Sequence, residues 1–130
     1  MSKKRIFKTK LFSKWLKKTV LTDRELVAAV KEMEQGLYDV ELGGNIFKKR
    51  LAIGNRGKSH GARMIVATRF EKHWFFIFGF EKNERTNINN VELAHLQSVA
   101  CVLLDLTASK IDKLLQEKTL SEVKHGNDET

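Results

Sequence analysis

Between residues 22 and 36 the apolar positions Leu26, Val27, Val30 and Met33 recur at helical spacing. Thr22 stands where an N-cap belongs, Glu25 can close a capping box, and Gly36 marks the C-terminal end. A shorter basic helix is predicted over residues 11–18, where Phe12, Trp15 and Leu16 share a face and Trp15 reads as core. "YDVELGG" reads as a loop that ends in two glycines. The period then changes to two. Residues 45–53 put Phe47, Leu51 and Ile53 on one face and Lys48 and Arg50, with Ile46 and Ala52, on the other. Residues 62–70 are rich in β-formers. "HWFFIFGF", residues 73–80, is apolar on both faces and predicts a central strand covered on both sides. The short "EK" between them suggests an antiparallel hairpin. Helical spacing returns at Leu93, Leu96, Val99, Ala100 and Leu103, behind Asn89 or Asn90 as cap. A last helix is expected over 108–117, behind Thr107 or Ser109, and residues 124–130 read as a disordered tail. The order predicts one α+β domain over residues 1–123: a small twisted antiparallel sheet with two N-terminal helices and C-terminal helices.

Composition supports a folded domain. The chain has 130 residues, 42% of them hydrophobic, with eight Phe and two Trp. A lone cysteine, Cys101, cannot form an intramolecular disulfide, which favours a reducing compartment, and its helical position reads as inert core. The N-terminus starts like a signal peptide, but no apolar run follows and no stretch approaches a membrane span. A cytoplasmic protein with no membrane association is expected.

Charge changes the picture more. The net charge is +8, and it is concentrated. Residues 1–22 hold eight Lys or Arg and no acid, and residues 42–70 hold seven and no acid, whereas the chain from Thr86 onward has four bases and seven acids. Such concentration points to a polyanionic partner, nucleic acid or acidic protein.

Within the second window, residues 52–59, "AIGNRGKS", match a permissive phosphate-loop string, and "CVLLD" resembles its acidic partner strand up to Asp105. A phosphate loop needs a helix after its Lys and Ser, so that backbone N–H groups face the phosphates. Here Lys58 and Ser59 lead into strand composition, which argues against that reading. Lys48 and Arg50 lie about 7 Å apart on one strand face. Lys49 falls on the apolar face, where it must snorkel or sit at an edge. If the two strands pair, Lys48, Arg50, Arg56, Lys58 and Arg63 can converge. Convergent cations bind phosphodiesters and stabilise a pentacovalent phosphoryl transition state. Crowded positive charge also disfavours a protonated ammonium, which opens a route to a lysine general base. A basic hairpin loop that binds nothing specific explains the spacing equally well. Lys82 and Arg85 follow the central strand, but Glu81 and Glu84 interleave, so that loop by itself reads as solvated with local ion pairs. His60, His73, His95 and His125 show no paired ligand spacing, so no metal and no cofactor are expected. His60, inside the basic window, is a candidate acid or base.

"GGNIFKKRLA", "GKSHGAR" and "FFIFGFEKNERTNI", with the two helices before them, resemble the RelE/HigB-type toxins of bacterial type II toxin–antitoxin modules. The resemblance runs over roughly residues 7–123 and is strongest over 43–88. It implies an endoribonuclease that activates the ribose 2′-OH for in-line attack without a metal, with many members cutting mRNA on the ribosome. Carried over by motif, the catalytic set is Lys48 and Arg50, Arg63 in "GAR", and Arg85 in the "K-x-E-R"-like loop. Lys49, Arg56, Lys58, His60 and Lys82 are the expected RNA-binding residues. The pattern departs at Ala62, where the family has Tyr, and the chain's sole Tyr, Tyr38, lies away from the family's C-terminal stacking Tyr. The resemblance also implies an antitoxin protein, often of helix-turn-helix type, encoded next door, so that DNA is contacted only through the antitoxin. Two other readings share the fold: a ParE-like toxin acting on DNA gyrase, and a non-catalytic RNA-binding protein.

Overall fold

The computed structural model describes residues 4–53, 61–85 and 87–124. In chain order these form β1 (Arg5–Thr9), α1 (Lys10–Leu16), α2 (Asp23–Glu34), β2 (Val40–Gly43), β3 (Ile46–Leu51), β4 (Ala62–Thr68), β5 (His73–Glu81), α3 (Asn90–Leu104), α4 (Ala108–Gln116) and β6 (Leu120–Val123). The strands make one sheet in the order β2-β3-β4-β5-β1-β6. Helices α1 and α2 cover one face through Phe12, Leu16, Leu26, Val30 and Met33. Helices α3 and α4 cover the other through Leu96, Ala100, Leu103 and Ile111. The α+β expectation holds.

The local signals behind α2 and α3 act as predicted. Thr22 and Glu25 close a capping box on α2, Asn89 and Glu92 close another on α3, and Gly36 ends α2 with φ +88°. β4 and β5 form the expected antiparallel hairpin, and β5 lies inside the sheet with Trp74 and Phe76 in one core and Phe75 in the other.

Three features differ from expectation. The segment read as a loop contains β2, which pairs antiparallel with β3 across Gly44 and Asn45, both with φ +64°. Positive φ at both central residues is what a type I′ hairpin turn needs. Two further strands, β1 and β6, extend the sheet. β1 runs parallel to β5 and antiparallel to β6, so the sheet is mixed rather than wholly antiparallel. Cys101 is exposed rather than core. α3 is apolar around most of its circumference, so its period does not reveal that Leu96, Ala100 and Leu103 face inward while Cys101 and Val102 face out.

The first basic window is partly structural. Lys4 pairs with Glu34 at 2.6 Å, Arg5 with Glu122 at 2.9 Å and Lys8 with Asp23 at 2.8 Å, so acids distant in sequence come to meet it. Among the described residues, no single helix is long and apolar enough to cross a membrane.

Candidate active site

Antiparallel register decides which bases meet. Arg50 on β3 stands directly opposite Arg63 on β4, and Arg63 stands opposite Phe80 on β5. Directly opposed residues share a sheet face. Lys48, two residues before Arg50, is on that face too, opposite Ile65, which is opposite Phe78.

A bulge in β5 completes the arrangement. The register shifts between Ile65 and Val66, whose partners are Phe78 and Phe76, leaving Ile77 as the extra residue. Phe76 therefore packs with α1 and α2, whereas Phe78 packs on the opposite core although it is two positions on. Phe78 and Phe80 become the floor under the basic face. The Arg85 guanidinium carbon lies 5.7 Å from the Phe78 ring centroid and 5.5 Å from that of Phe80, within cation–π range. On the other face the backbone is bare at Gly79, where Trp15 lies so close that a Cβ would come within 2.5 Å of its ring.

Two polar networks organise the bases. In one, Asp39 just before β2 receives Arg50 Nε at 2.9 Å on Oδ1 and has Arg63 Nε 3.9 Å from Oδ2. In the other, Lys48 Nζ lies 3.5 Å from Asn87 Oδ1, and Arg85 Nε donates to the Asn87 carbonyl at 3.1 Å. Both terminal nitrogens of Arg85 donate to Glu92, Nη1 at 2.9 Å to Oε2 and Nη2 to Oε1. Four bases thus share a compact face with two carboxylates.

Burial tunes this face. Arg63 has a side chain only 6% exposed. Burial lowers its pKa, the Arg50 charge lowers it further, and Asp39 acts in the opposite direction. The Glu92 carboxyl is held below its usual 4.5, first by hydrogen bonds from Arg85 and then by the Asn89 N–H. A depressed carboxylate stabilises the fold above its unfolded pKa and loses that contribution as pH falls through the lower folded value. Glu92→Gln should therefore lower the melting temperature at neutral pH. The gap from the unaltered protein should narrow below pH 4.5 and close at lower pH, as thermal unfolding across a pH series would show.

The structure gathers Lys48, Arg50, Arg63 and Arg85. Lys82 is exposed on the turn after β5, its N–H donating to Gly61 O at 3.0 Å. Arg56, Lys58, His60 and residues 125–130 lie outside the described residues. Lys49 is not gathered with those four bases: its side chain is 5% exposed on the opposite sheet face and its Nζ is 2.5 Å from Glu32 of α2, a buried ion pair. Asp39, Asn87, Glu92, Phe78 and Phe80 were not anticipated. The hairpin signal in "VELGGNIF" could have brought Asp39 beside β3, and the capping pair Asn89–Glu92 pointed to Glu92 as a fixed acid beside Arg85. Among the described residues, no three His, Cys, Asp or Glu gather in a group able to hold a metal ion.

A comparison with curated proteins found no match. A family model described as "RelE toxin of RelE / RelB toxin-antitoxin system" matches residues 4–123, from the residue before β1 to the end of β6. With nearly all of the chain matched and an α+β fold, the chain belongs to the RelE toxin family of toxin–antitoxin systems.

Proposed function

We propose that this RelE-family toxin is an endoribonuclease of the RelE/HigB kind, cutting mRNA on the ribosome in the cytoplasm and thereby stopping translation. The observation that carries the reading is the single sheet face shared by Lys48, Arg50, Arg63 and Arg85 over Phe78 and Phe80. Lys48 takes the 2′-OH proton. The 2′-oxygen attacks the adjacent phosphorus in line, a 2′,3′-cyclic phosphate forms as the P–O5′ bond breaks, and the departing 5′-oxygen takes its proton from solvent water. Arg50 and Arg63 hold the nonbridging oxygens, where guanidinium donors strengthen as negative charge builds. Arg85, carried on the aromatic floor, stabilises charge near the leaving group. The cognate antitoxin neutralises the toxin by covering this basic face with acidic or occluding surface.

A ParE-like action on gyrase would leave that concentration of bases without a substrate. Incubating the purified protein with translating ribosomes and mapping RNA ends separates the two. New 2′,3′-cyclic phosphate ends on mRNA support the nuclease, and intact mRNA with gyrase-dependent DNA breaks overturns it.

A further inference from the structure

The basic face contains an acid, Asp39, beside two of its arginines, and its place is fixed. Its N–H donates to the Lys48 carbonyl at 2.8 Å, extending the β2–β3 pairing by one residue. The preceding Tyr38 sits edge-on to Phe47, with centroids 4.9 Å apart, which fixes the chain on that side. The carboxylate, on a side chain 18% exposed, spans two guanidinium groups that are direct cross-strand partners. Like charges directly opposed across a strand pair repel, and Arg63 meets that repulsion in a nearly dry position. Asp39 offsets it.

The two arms of this bridge differ. Arg63 has a side chain only 6% exposed, 3.9 Å from the carboxylate. Arg50 is 48% exposed, and its side of Asp39 borders a cleft of about 180 Å³ lined also by Leu37, Tyr38 and Lys49. A carboxylate with one oxygen toward each guanidinium imitates two nonbridging oxygens of a phosphodiester. A phosphate arriving from solvent meets the Arg50 arm first.

We infer that Asp39 is a positioning residue and built-in anion. It holds Arg50 and Arg63 in phosphate-binding positions in the free toxin and yields Arg50 to the RNA phosphate when substrate binds. This rests on the reading of the face as an RNA site. Exchange makes two effects move in opposite directions. Asp39 opposes RNA binding, because it must be displaced, and it favours turnover, because it keeps the cations in place.

The test compares the full-length protein with Asp39→Asn and Asp39→Glu, using a single-stranded 2′-O-methyl RNA oligonucleotide, which binds but has no nucleophile. By fluorescence anisotropy, Asp39→Asn should bind about threefold more tightly at low salt, with the log-affinity against log-salt slope steeper by about 0.7, the value for one further cation on a single strand. Cleavage of an all-ribose copy at saturating RNA should slow by about tenfold, since misplaced groups lose rate. Asp39→Glu should return the slope to its original value. Unchanged affinity and slope in Asp39→Asn, or weaker binding with a lower melting temperature, overturns the proposal. If Asp39→Asn does not fold, Asp39→Ser decides: exchange requires its slope to be steeper by about 0.7 than that of the unaltered protein, and an unchanged slope overturns it. Unaltered protein that binds the oligonucleotide but cuts no RNA, free or on ribosomes, removes the nuclease reading and leaves the salt comparison standing.

Discussion

Replacing Arg63 with Ala should slow RNA cleavage by about 10²–10³, the usual loss when a preorganised donor to a developing oxyanion is removed. Arg63 lies mid-face, between Arg50 on one neighbouring strand and Phe80 on the other, and its near-complete burial lets it act with little competition from water. Asp39 keeps Arg50 as a partner at 2.9 Å when Arg63 is gone. Truncating so buried a side chain also costs stability, so the rate is read at a temperature where the variant is folded, and there it should still fall by this factor. Lys48→Ala should lose activity on a comparable scale by a different route, removal of the base. Induced expression supplies the cellular readout: growth arrest by the unaltered toxin and continued growth with either variant. Undiminished arrest in both would refute these roles. Lys49 gives an internal contrast, since it lies on the other face against Glu32 and its replacement should change stability rather than rate.

Most helices and the three central strands were legible because their signals are local. Thr22, Glu25 and Gly36 bracket α2, and Asn89 and Glu92 start α3, within a few residues of the elements they define. β1 and β6 were not legible for the opposite reason. "RIFKT" carries two bases in five residues and looks like a solvated tail until Ile6 and Phe7 are inserted beside β5, with the flanking charges neutralised by Glu122 and Asp23. "LSEV" has only Leu120 and Val123 to bury and becomes a strand by pairing with β1, more than a hundred residues away in sequence. Such pairings depend on loop closure and not on local preference.

The site divides along the same line. Period-two geometry correctly put Lys48 beside Arg50, and pairing of adjacent strands brought Arg63 to them. The aromatic floor was hidden because every position of "HWFFIFGF" except the His and Gly is apolar, so the bulge that turns Phe78 and Phe80 toward the bases leaves no trace in the hydrophobic pattern. The acids were hidden by distance: Asp39 reaches Arg50 over eleven positions, and Glu92 reaches Arg85 over seven from inside a helix cap. A scan for clusters of bases does not find the acids that hold them.

The glycine of "GAR" carries the second large expectation, Gly61→Ala, with a loss of about 3 kcal/mol on chemical denaturation. A Cβ on Gly61 would lie 1.9 Å from the Leu51 carbonyl oxygen and 3.1 Å from the Ala52 Cα. Both belong to backbone, which cannot rotate aside as a side chain can. Gly61 is needed for this close approach, unlike Gly36, whose φ of +88° needs glycine but where a Cβ would meet nothing within 4 Å. Gly36→Ala should cost only about 1–2 kcal/mol, from backbone conformation alone. Gly61 cannot retreat freely either, because its carbonyl accepts the Lys82 N–H at 3.0 Å and ties β4 to the turn before Arg85. Relief must come from parting β3 and β4 at the Leu51–Ala62 pair, one register step from Arg50 and Arg63. Displacement by about 1 Å at such a site can cost 10²-fold in rate. Gly61→Ala should thus lose cleavage even at temperatures where it is folded, whereas Gly36→Ala should lose stability alone. Equal behaviour of the two in denaturation and in rate would show that the approach of Gly61 to Leu51 does not set the spacing of the two arginines.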